Sequence, residues 1–544
     1  MGPPVMARAA AEAAINFPVL TAADYCDRNA ETWPDWEALV DSHTRLTWAQ
    51  VSQHSDRLAR ALLGLGLSPG DTLLVQLYNC VELYLVRLAC EKAGLHPVTA
   101  AAAFRRAELE PILRLTDPAA AIIPWRFRGF DHVALLDELR LGPGHLRRVI
   151  VVGPDAPPGT LPFWDVARGG GTRGVDLRRT RFRPTDFSQI ATTSGSTGVP
   201  KCAAVTIGGR MLTGLVQIHR YRITREDTIA AMTPLITGTP DALAYHGVPQ
   251  IGARVVLLEH FSDQEATALI EREQVTVLPV VPTLLTRLRQ ADPEGRAVRS
   301  LRVLINHGAL LPPSLAEAFE AGQRARIVQA YGTADFGGIA STTFDDPPEV
   351  RLRTVGRPND GNEVRLVDEQ GQDVAPGDTG RVLVRGLHGI AGYYGDPVLT
   401  QEVWRDGYCE VGDLARLDPA GNLILMGRAR ELIIRGGQNI FPGEVEAHLA
   451  HHPQVAEVAV VPYPDPVYGE RVCACIVPRP GAMLRLEEIG TFLRAHGLAA
   501  FKLPERLELW DALPRVPAGQ KVDKKRLTEE VTRRAGGSPA ADPA

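Results

Sequence analysis

Thr192-Thr193-Ser194-Gly195-Ser196-Thr197-Gly198-Val199-Pro200-Lys201 is the stretch around which the chain is organised. It follows the apolar run Ser188-Gln189-Ile190-Ala191, which reads as a buried strand. Two glycines permit a tight turn that bares backbone N–H groups, as an anion cradle requires. The hydroxyl side chains add short donors that reach phosphate oxygens, and Lys201 adds a mobile point charge. A Ser/Thr/Gly surface loop has the same composition, so the loop by itself leaves both readings open. Its order is not the G-x-x-x-x-G-K-[ST] pattern, because Lys201 follows a proline and Cys202 follows Lys201.

Outside this loop the composition is that of a soluble globular chain. With 544 residues the protein is too long for one core and is expected to form several subdomains. An apolar share of 45% and a charged share of 23% fit that class. The net charge of −5 gives no electrostatic case for nucleic acid or an anionic membrane, so neither is expected as a partner. No apolar run approaches the ~20 residues of a spanning helix. Met1 to Leu20 lacks a charged leading segment and reads as a poor signal peptide. The seven cysteines form no C-x-x-C pair and show no zinc spacing. Scattered and odd in number, they are expected to be reduced thiols in a cytoplasmic protein. Cys473 and Cys475 alternate within Arg471-Val472-Cys473-Ala474-Cys475-Ile476-Val477 and should face one side of a strand.

Along the chain, helical spacing from Thr47 to Gly66 gives way to a strand at Thr72 to Leu77 and a helix at Val81 to Gly94. Further strands are expected at Ala119 to Pro124, Arg148 to Val152, Arg254 to Leu258, Thr276 to Val280 and Arg302 to Asn306, with helices at Asp263 to Gln274 and Pro313 to Ala321. Short Val/Ile/Leu strands alternating with helices argue for parallel α/β sheets. The run Arg168 to Gly174 reads as a glycine-rich surface loop. After about Val350, turn pairs such as Asp360-Gly361 separate short strands, including Gly380 to Val384 and Asn422 to Met426, which marks a small β subdomain. From Arg428 the strands and helices alternate at short range as a compact α+β domain, and the small-residue tail Gly536 to Ala544 reads as disordered. The fold class is thus α/β: a large N-terminal domain of layered α/β subdomains with a small β subdomain, then a smaller α+β C-terminal domain.

Four further motifs follow the loop in order: Tyr331-Gly332-Thr333-Ala334-Asp335; Gly412-Asp413; the run Gly427-Arg428-Ala429-Arg430-Glu431 through Gly443-Glu444; and Pro517-Ala518-Gly519-Gln520-Lys521. Each alone is ordinary, since a Tyr-Gly or Gly-Asp pair is usually a turn. In this order they resemble the adenylate-forming (AMP-binding) superfamily of acyl-CoA synthetases and aryl-acid AMP ligases, over about Leu20 to Leu527. The resemblance implies an adenylation domain at 1–427, a hinge at 428–431 on Arg430, a mobile C-terminal domain at 432–530 and a disordered tail at 531–544.

The same resemblance assigns roles. Thr193, Ser194, Gly195, Ser196, Thr197, Gly198 and Lys201 would grip the ATP phosphates. Gly308, Ala309, Tyr331, Gly332, Thr333, Asp413 and Arg428 would hold adenine and ribose; Tyr331 would stack on the base, and the Asp413 carboxylate, able to accept two hydrogen bonds at once, would take the ribose hydroxyls. Asp335, a hard oxygen ligand one methylene shorter than the family's usual Glu, would hold magnesium together with Thr193. Lys521, rather than Lys524 or Lys525, would be the catalytic cation facing the negative charge that develops at the α-phosphate. Gln520 stands where a glycine usually precedes that lysine, and Arg430 stands where Asp or Lys is usual.

The acyl pocket departs from the pattern. Ile236, Thr237, Gly238, His307 and Gly337 fall at its positions, and Thr237-Gly238 replaces the His-Asn of siderophore aryl-acid ligases. The resemblance therefore implies an ATP- and magnesium-dependent ligase that activates a small carboxylic acid, aromatic or cyclic, and passes it to coenzyme A. Two alternatives stay open: loading the phosphopantetheine arm of a carrier protein, or activating nitrite toward an arylamine. The acid, the acceptor and the oligomeric state, monomer or homodimer, are left undecided by the sequence.

Overall fold

The computed structural model describes residues 20–139, 146–169, 175–193, 200–236, 238–322, 325–435, 438–516 and 522–536. Two large sheets form its body. One, of 8 strands, is built around His96–Thr99, Thr72–Val75, Ala120–Pro124 and Arg148–Val152 in parallel. The other, of 9 strands, carries Thr228–Ala231, Val277–Val280, Val303–His307 and Arg326–Thr333, also in parallel. Their inward-facing Leu73, Val75, Ile122, Ile229, Val277, Ile305 and Val328 belong to one continuous core.

The helix Val81–Ala93 lies within that core, and all 13 of its residues are buried. That is why its apolar residues run all round it and are not gathered on one stripe. It nevertheless carries four charged residues, and each has found a partner. Lys92 Nζ donates to Asp27 and Asp56, both at 2.7 Å. Arg87 Nη2 meets Asp241 at 2.6 Å. Glu91 accepts from the Tyr245 hydroxyl at 2.9 Å and the Ala23 N–H at 3.0 Å, and Glu82 accepts from Trp164 Nε1 at 2.8 Å. A buried charge without such a partner would cost several kcal/mol.

The sheets are mixed and not purely parallel. Phe187–Thr193 pairs parallel to His96–Thr99 on one side and antiparallel to Lys201–Thr206 on the other. The helix Ile207–Arg220 begins only after that second strand. The glycine-rich loop therefore joins two arms of a hairpin, and Thr193 and Lys201 are direct cross-strand partners. The other helices and strands fall within a few residues of expectation, for example Trp48–Gly64, Arg148–Val152 and Asp263–Glu273. Thr47 caps the first of these through a reciprocal bond with Gln50. A π-helical segment at Asp241–Gly247 was not foreseen.

The expected β subdomain is a sheet of Asn362–Val367, Gly380–Gly386, Tyr408–Leu417 and Leu423–Arg428 with the short Trp404–Arg405. Gly412-Asp413 lies inside one of its strands and not at a turn. The C-terminal part has its own core of Ile433, Val445, Val460, Val472, Ile489 and Leu493, formed where the strands Val455–Asp465 and Gly469–Pro478 pack on Pro442–Leu449 and Leu486–Ala495. Cys473 and Cys475 do share one face, packed with Leu513, Leu527 and Val531. All seven cysteines are free and buried. No helix among the described residues is long and apolar enough to cross a membrane. Residues 170–174 of the glycine-rich run and the tail after Gly536 lie outside the described residues; residues 531–534, expected within a disordered tail, instead complete the helix Lys524–Arg534, because Leu527 and Val531 pack against Cys473 and Cys475.

Candidate active site

Three strands bring the first group together. Tyr331, on Arg326–Thr333, donates its hydroxyl to Asp413 Oδ2 at 2.7 Å. Asp413 and Arg428 are register partners across adjacent strands, and Arg428 Nε stands 3.2 Å from Asp413 Oδ1. Both carboxylate oxygens are thus held, one by a phenol and one by a guanidinium, which fixes the rotamer. Burial first, and the Asp413 charge second, push the Tyr331 hydroxyl far above its ordinary pKa, so it remains a donor. Gly332 is required by packing alone, since a Cβ there would lie 2.3 Å from the Gly337 carbonyl oxygen.

A second group lies at the mouth of the hairpin. Lys201 Nζ stands 3.8 Å from Asp335 Oδ1 and 5.1 Å from the centre of the Tyr393 ring. The Tyr393 hydroxyl donates to the same Asp335 oxygen. Asp335 sits at a tight turn in which Thr333 Oγ1 accepts from the Phe336 N–H at 3.2 Å. This turn connects Arg326–Thr333 to Gly337–Ser341, so Tyr331 and Asp335 are carried by one hairpin.

A third group lies beside it. His307 ends the strand Val303–His307, and its ring approaches Gly238, where an added Cβ would be 3.5 Å from Nδ1. Burial lowers the His307 pKa to about 4, so the imidazole is neutral, and its buried Nε2 has no hydrogen-bond partner among the described residues. Ile236 packs into the core between the sheets, while its carbonyl accepts from Gln189 Nε2 at 3.3 Å. Gly337 has φ +118°, and a Cβ there would meet the His388 carbonyl at 2.5 Å and Arg210 Nη1 at 2.9 Å.

Ser194, Gly195, Ser196, Thr197, Gly198, Thr237 and Lys521 lie outside the described residues, as does the side chain of Thr193. Gly308 and Ala309 directly follow the His307 strand, and Arg430 sits in the single turn Ala429–Glu431 after Arg428. Lys524 is fully engaged, 2.8 Å from Glu446 and 3.3 Å from Glu431. Sequence reasoning missed Tyr393, Arg87, Arg210 and Asp241. Only Arg87 left a signal, as a lone charge inside Leu83-Tyr84-Leu85-Val86-Arg87-Leu88-Ala89.

The AMP-binding enzyme family matches residues 26–394, and the AMP-binding enzyme C-terminal domain matches residues 444–520. The chain belongs to the AMP-binding enzyme family and is an ATP-dependent adenylate-forming ligase. It is 33% identical over 506 residues to a 2-hydroxy-7-methoxy-5-methyl-1-naphthoate–CoA ligase of Streptomyces carzinostaticus, covering 91% of this chain and 90% of that one. It is 32% identical to a salicyl-AMP ligase / salicyl-S-ArCP synthetase of Mycobacterium tuberculosis, covering 92% and 89%. The amide bond synthetase McbA of Marinactinospora thermotolerans superposes with a TM-score of 0.80 at 29% identity, covering 94% of this chain and 99% of that one.

Proposed function

We propose that this ligase activates a small aromatic or cyclic carboxylic acid as its acyl-adenylate, releases pyrophosphate, and transfers the acyl group to coenzyme A. The observation that carries the nucleotide end is the Tyr331–Asp413–Arg428 group, with Lys201 and Asp335 on the neighbouring hairpin. In this reading Asp413 accepts the ribose hydroxyls, held in orientation by Tyr331 and Arg428. Lys201 lies at the base of the phosphate loop and offsets phosphate charge. Asp335 Oδ2 accepts no hydrogen bond among the described residues, so this carboxylate fits as the hard oxygen that would hold a magnesium ion, which shields triphosphate charge when bound. Lys521 completes the site when the C-terminal domain turns about Arg430. The neutral His307 and the glycines at 238 and 337 line the acyl end.

Two relatives with similar identity use different acceptors, a CoA and an ArCP. The test therefore has two stages. Pyrophosphate release is measured with a panel of benzoic, salicylic, naphthoic and alicyclic acids, and with nitrite plus an aminoaryl acid. Release with acids supports the proposal; release with nitrite alone overturns it. Coenzyme A and a phosphopantetheinylated carrier protein are then compared as acceptors, and thioester formed only on the carrier overturns the choice of coenzyme A.

Tyr331→Phe keeps the ring and removes the hydroxyl that pins Asp413. A hydrogen bond to a charged group contributes about 1.5–3 kcal/mol, and Arg428 still holds the other oxygen, so the lower end applies. The KM for ATP should rise about tenfold with the KM for the acid unchanged, as read from steady-state pyrophosphate release.

A further inference from the structure

Lys201 and Asp335 carry opposite charges side by side, yet they do not close on each other. Other lysines of this chain that pair with a carboxylate come to contact: Lys92 lies 2.7 Å from Asp27, Lys502 2.7 Å from Glu444 and Lys524 2.8 Å from Glu446. Lys201 Nζ stops 3.8 Å from Asp335 Oδ1, outside hydrogen-bond reach. Both side chains are partly open to solvent, at 21% and 27% of their surface.

Tyr393 accounts for the gap. Its hydroxyl donates to the same Oδ1 that Lys201 approaches, and its ring centre lies 5.1 Å from Nζ, within range of a cation–π attraction. That oxygen is therefore already served, and the ammonium is drawn to the ring. The backbone places Tyr393 for both tasks. Its strand, Gly392–Tyr393, pairs antiparallel with Lys201–Thr206, and Tyr393 is the register partner of Ala203. Lys201, two residues before Ala203, shares that face and lies diagonally across from Tyr393. Asp335 arrives from the other large sheet, on the turn after Arg326–Thr333. The Tyr393 N–H donates to Thr400 Oγ1 at 2.9 Å and the Tyr394 N–H to the Cys202 carbonyl at 2.7 Å, which fixes the base of the buried ring.

A contact ion pair between Lys201 and Asp335 would neutralise both charges before a ligand arrives. A triphosphate would have to break that pair to reach the lysine, and a divalent cation would have to break it to reach the carboxylate. Each would be bound more weakly for it.

We propose that Tyr393 is a positioning residue that keeps Lys201 and Asp335 apart, holding the lysine for phosphate and one carboxylate oxygen for a divalent cation. The inference rests on the nucleotide end of the reading above and is independent of which acid is activated.

The test measures ATP binding by calorimetry, with magnesium and with EDTA in its place, for wild type, Tyr393→Phe, Asp335→Asn and the double variant. Tyr393→Phe keeps the ring and removes only the donor, so Lys201 is free to close on Asp335. Affinity should fall about tenfold with magnesium, the size of one hydrogen bond to a charged group. It should fall with EDTA too, because the lysine itself is tied up. In the Asp335→Asn background the lysine has no carboxylate to close on, and adding Tyr393→Phe should change affinity by less than about twofold. Thermal melts establish that each variant is folded. Wild-type affinity in Tyr393→Phe overturns the inference, as does a loss confined to the magnesium series. Equal losses in both backgrounds mean that Tyr393 acts through packing, and overturn it as well. If magnesium strengthens binding as much in Asp335→Asn as in wild type, the assignment of the cation to Asp335 falls and this inference with it. No acid enters these measurements, so the acid-activating reading stands or falls separately, on pyrophosphate release.

Discussion

Lys521→Ala is expected to lower acyl-adenylate formation by about 10²- to 10³-fold while ATP binding and the melting temperature stay as they are. Negative charge grows on the α-phosphate as the carboxylate attacks, and removing one preorganised donor to such charge costs this much in other enzymes. The neighbouring lysines provide the internal control. Lys524 is bound to Glu446 and Glu431, and it ties the helix Lys524–Arg534 to the turn after Arg428. Its removal should loosen the C-terminal domain and lower the melting temperature. Lys525 is exposed at the start of the same helix, and its removal should change neither quantity. Pyrophosphate exchange on the three alanine variants, with thermal melts alongside, separates them. Near-normal exchange in Lys521→Ala would mean that another cation faces the phosphate.

Asp241→Ala is expected to destabilise the N-terminal domain by about 3–5 kcal/mol, the cost of stranding a buried partner charge. Here two guanidiniums are stranded, because Arg87 and Arg210 share this one carboxylate. A lowered urea midpoint for the transition of this domain measures it. The wild-type pair also makes stability depend on pH. Burial alone would raise the Asp241 pKa, but Arg87 and its neighbours outweigh burial and hold it below the ordinary 3.8. The contribution is then fully present above pH about 4 and is lost as the pH falls through the lower folded value. Wild type should lose stability in that acid window, and Asp241→Ala should lose less of what remains. A variant as stable as wild type would show that Arg87 is satisfied by Gln189 and Leu235 alone.

Much of the fold was legible because its elements obey local rules. Trp48–Gly64 has a capping residue at Thr47 and apolar spacing along one face, and Arg148–Val152 is a run of Arg-Val-Ile-Val-Val. The grouping of Tyr331, Asp413 and Arg428 was legible too, since each sits in a short ordered motif. What could not be read was the pairing of residues distant along the chain. Arg87 and Asp241 are separated by 154 positions, and Tyr393 and Asp335 by 58. Nothing local distinguishes Arg210, in Ile207-Gly208-Gly209-Arg210-Met211, from a solvated helix residue. The π-helical turn at Asp241–Gly247 also escaped, because its course is set by helix packing and not by propensity.

The fully buried helix Val81–Ala93 has a consequence for how the protein is made. Its anchors come late in the chain: Asn79 Nδ2 donates to the Ala231 carbonyl at 3.1 Å, and the Tyr84 hydroxyl donates to the Ala244 carbonyl at 3.0 Å across 160 residues. At about 5–20 residues per second, a ribosome needs roughly 8–30 s to deliver that partner after the helix has emerged. During that time the nascent chain holds an apolar helix with no sheet to cover one side of it, which is the kind of surface chaperones bind.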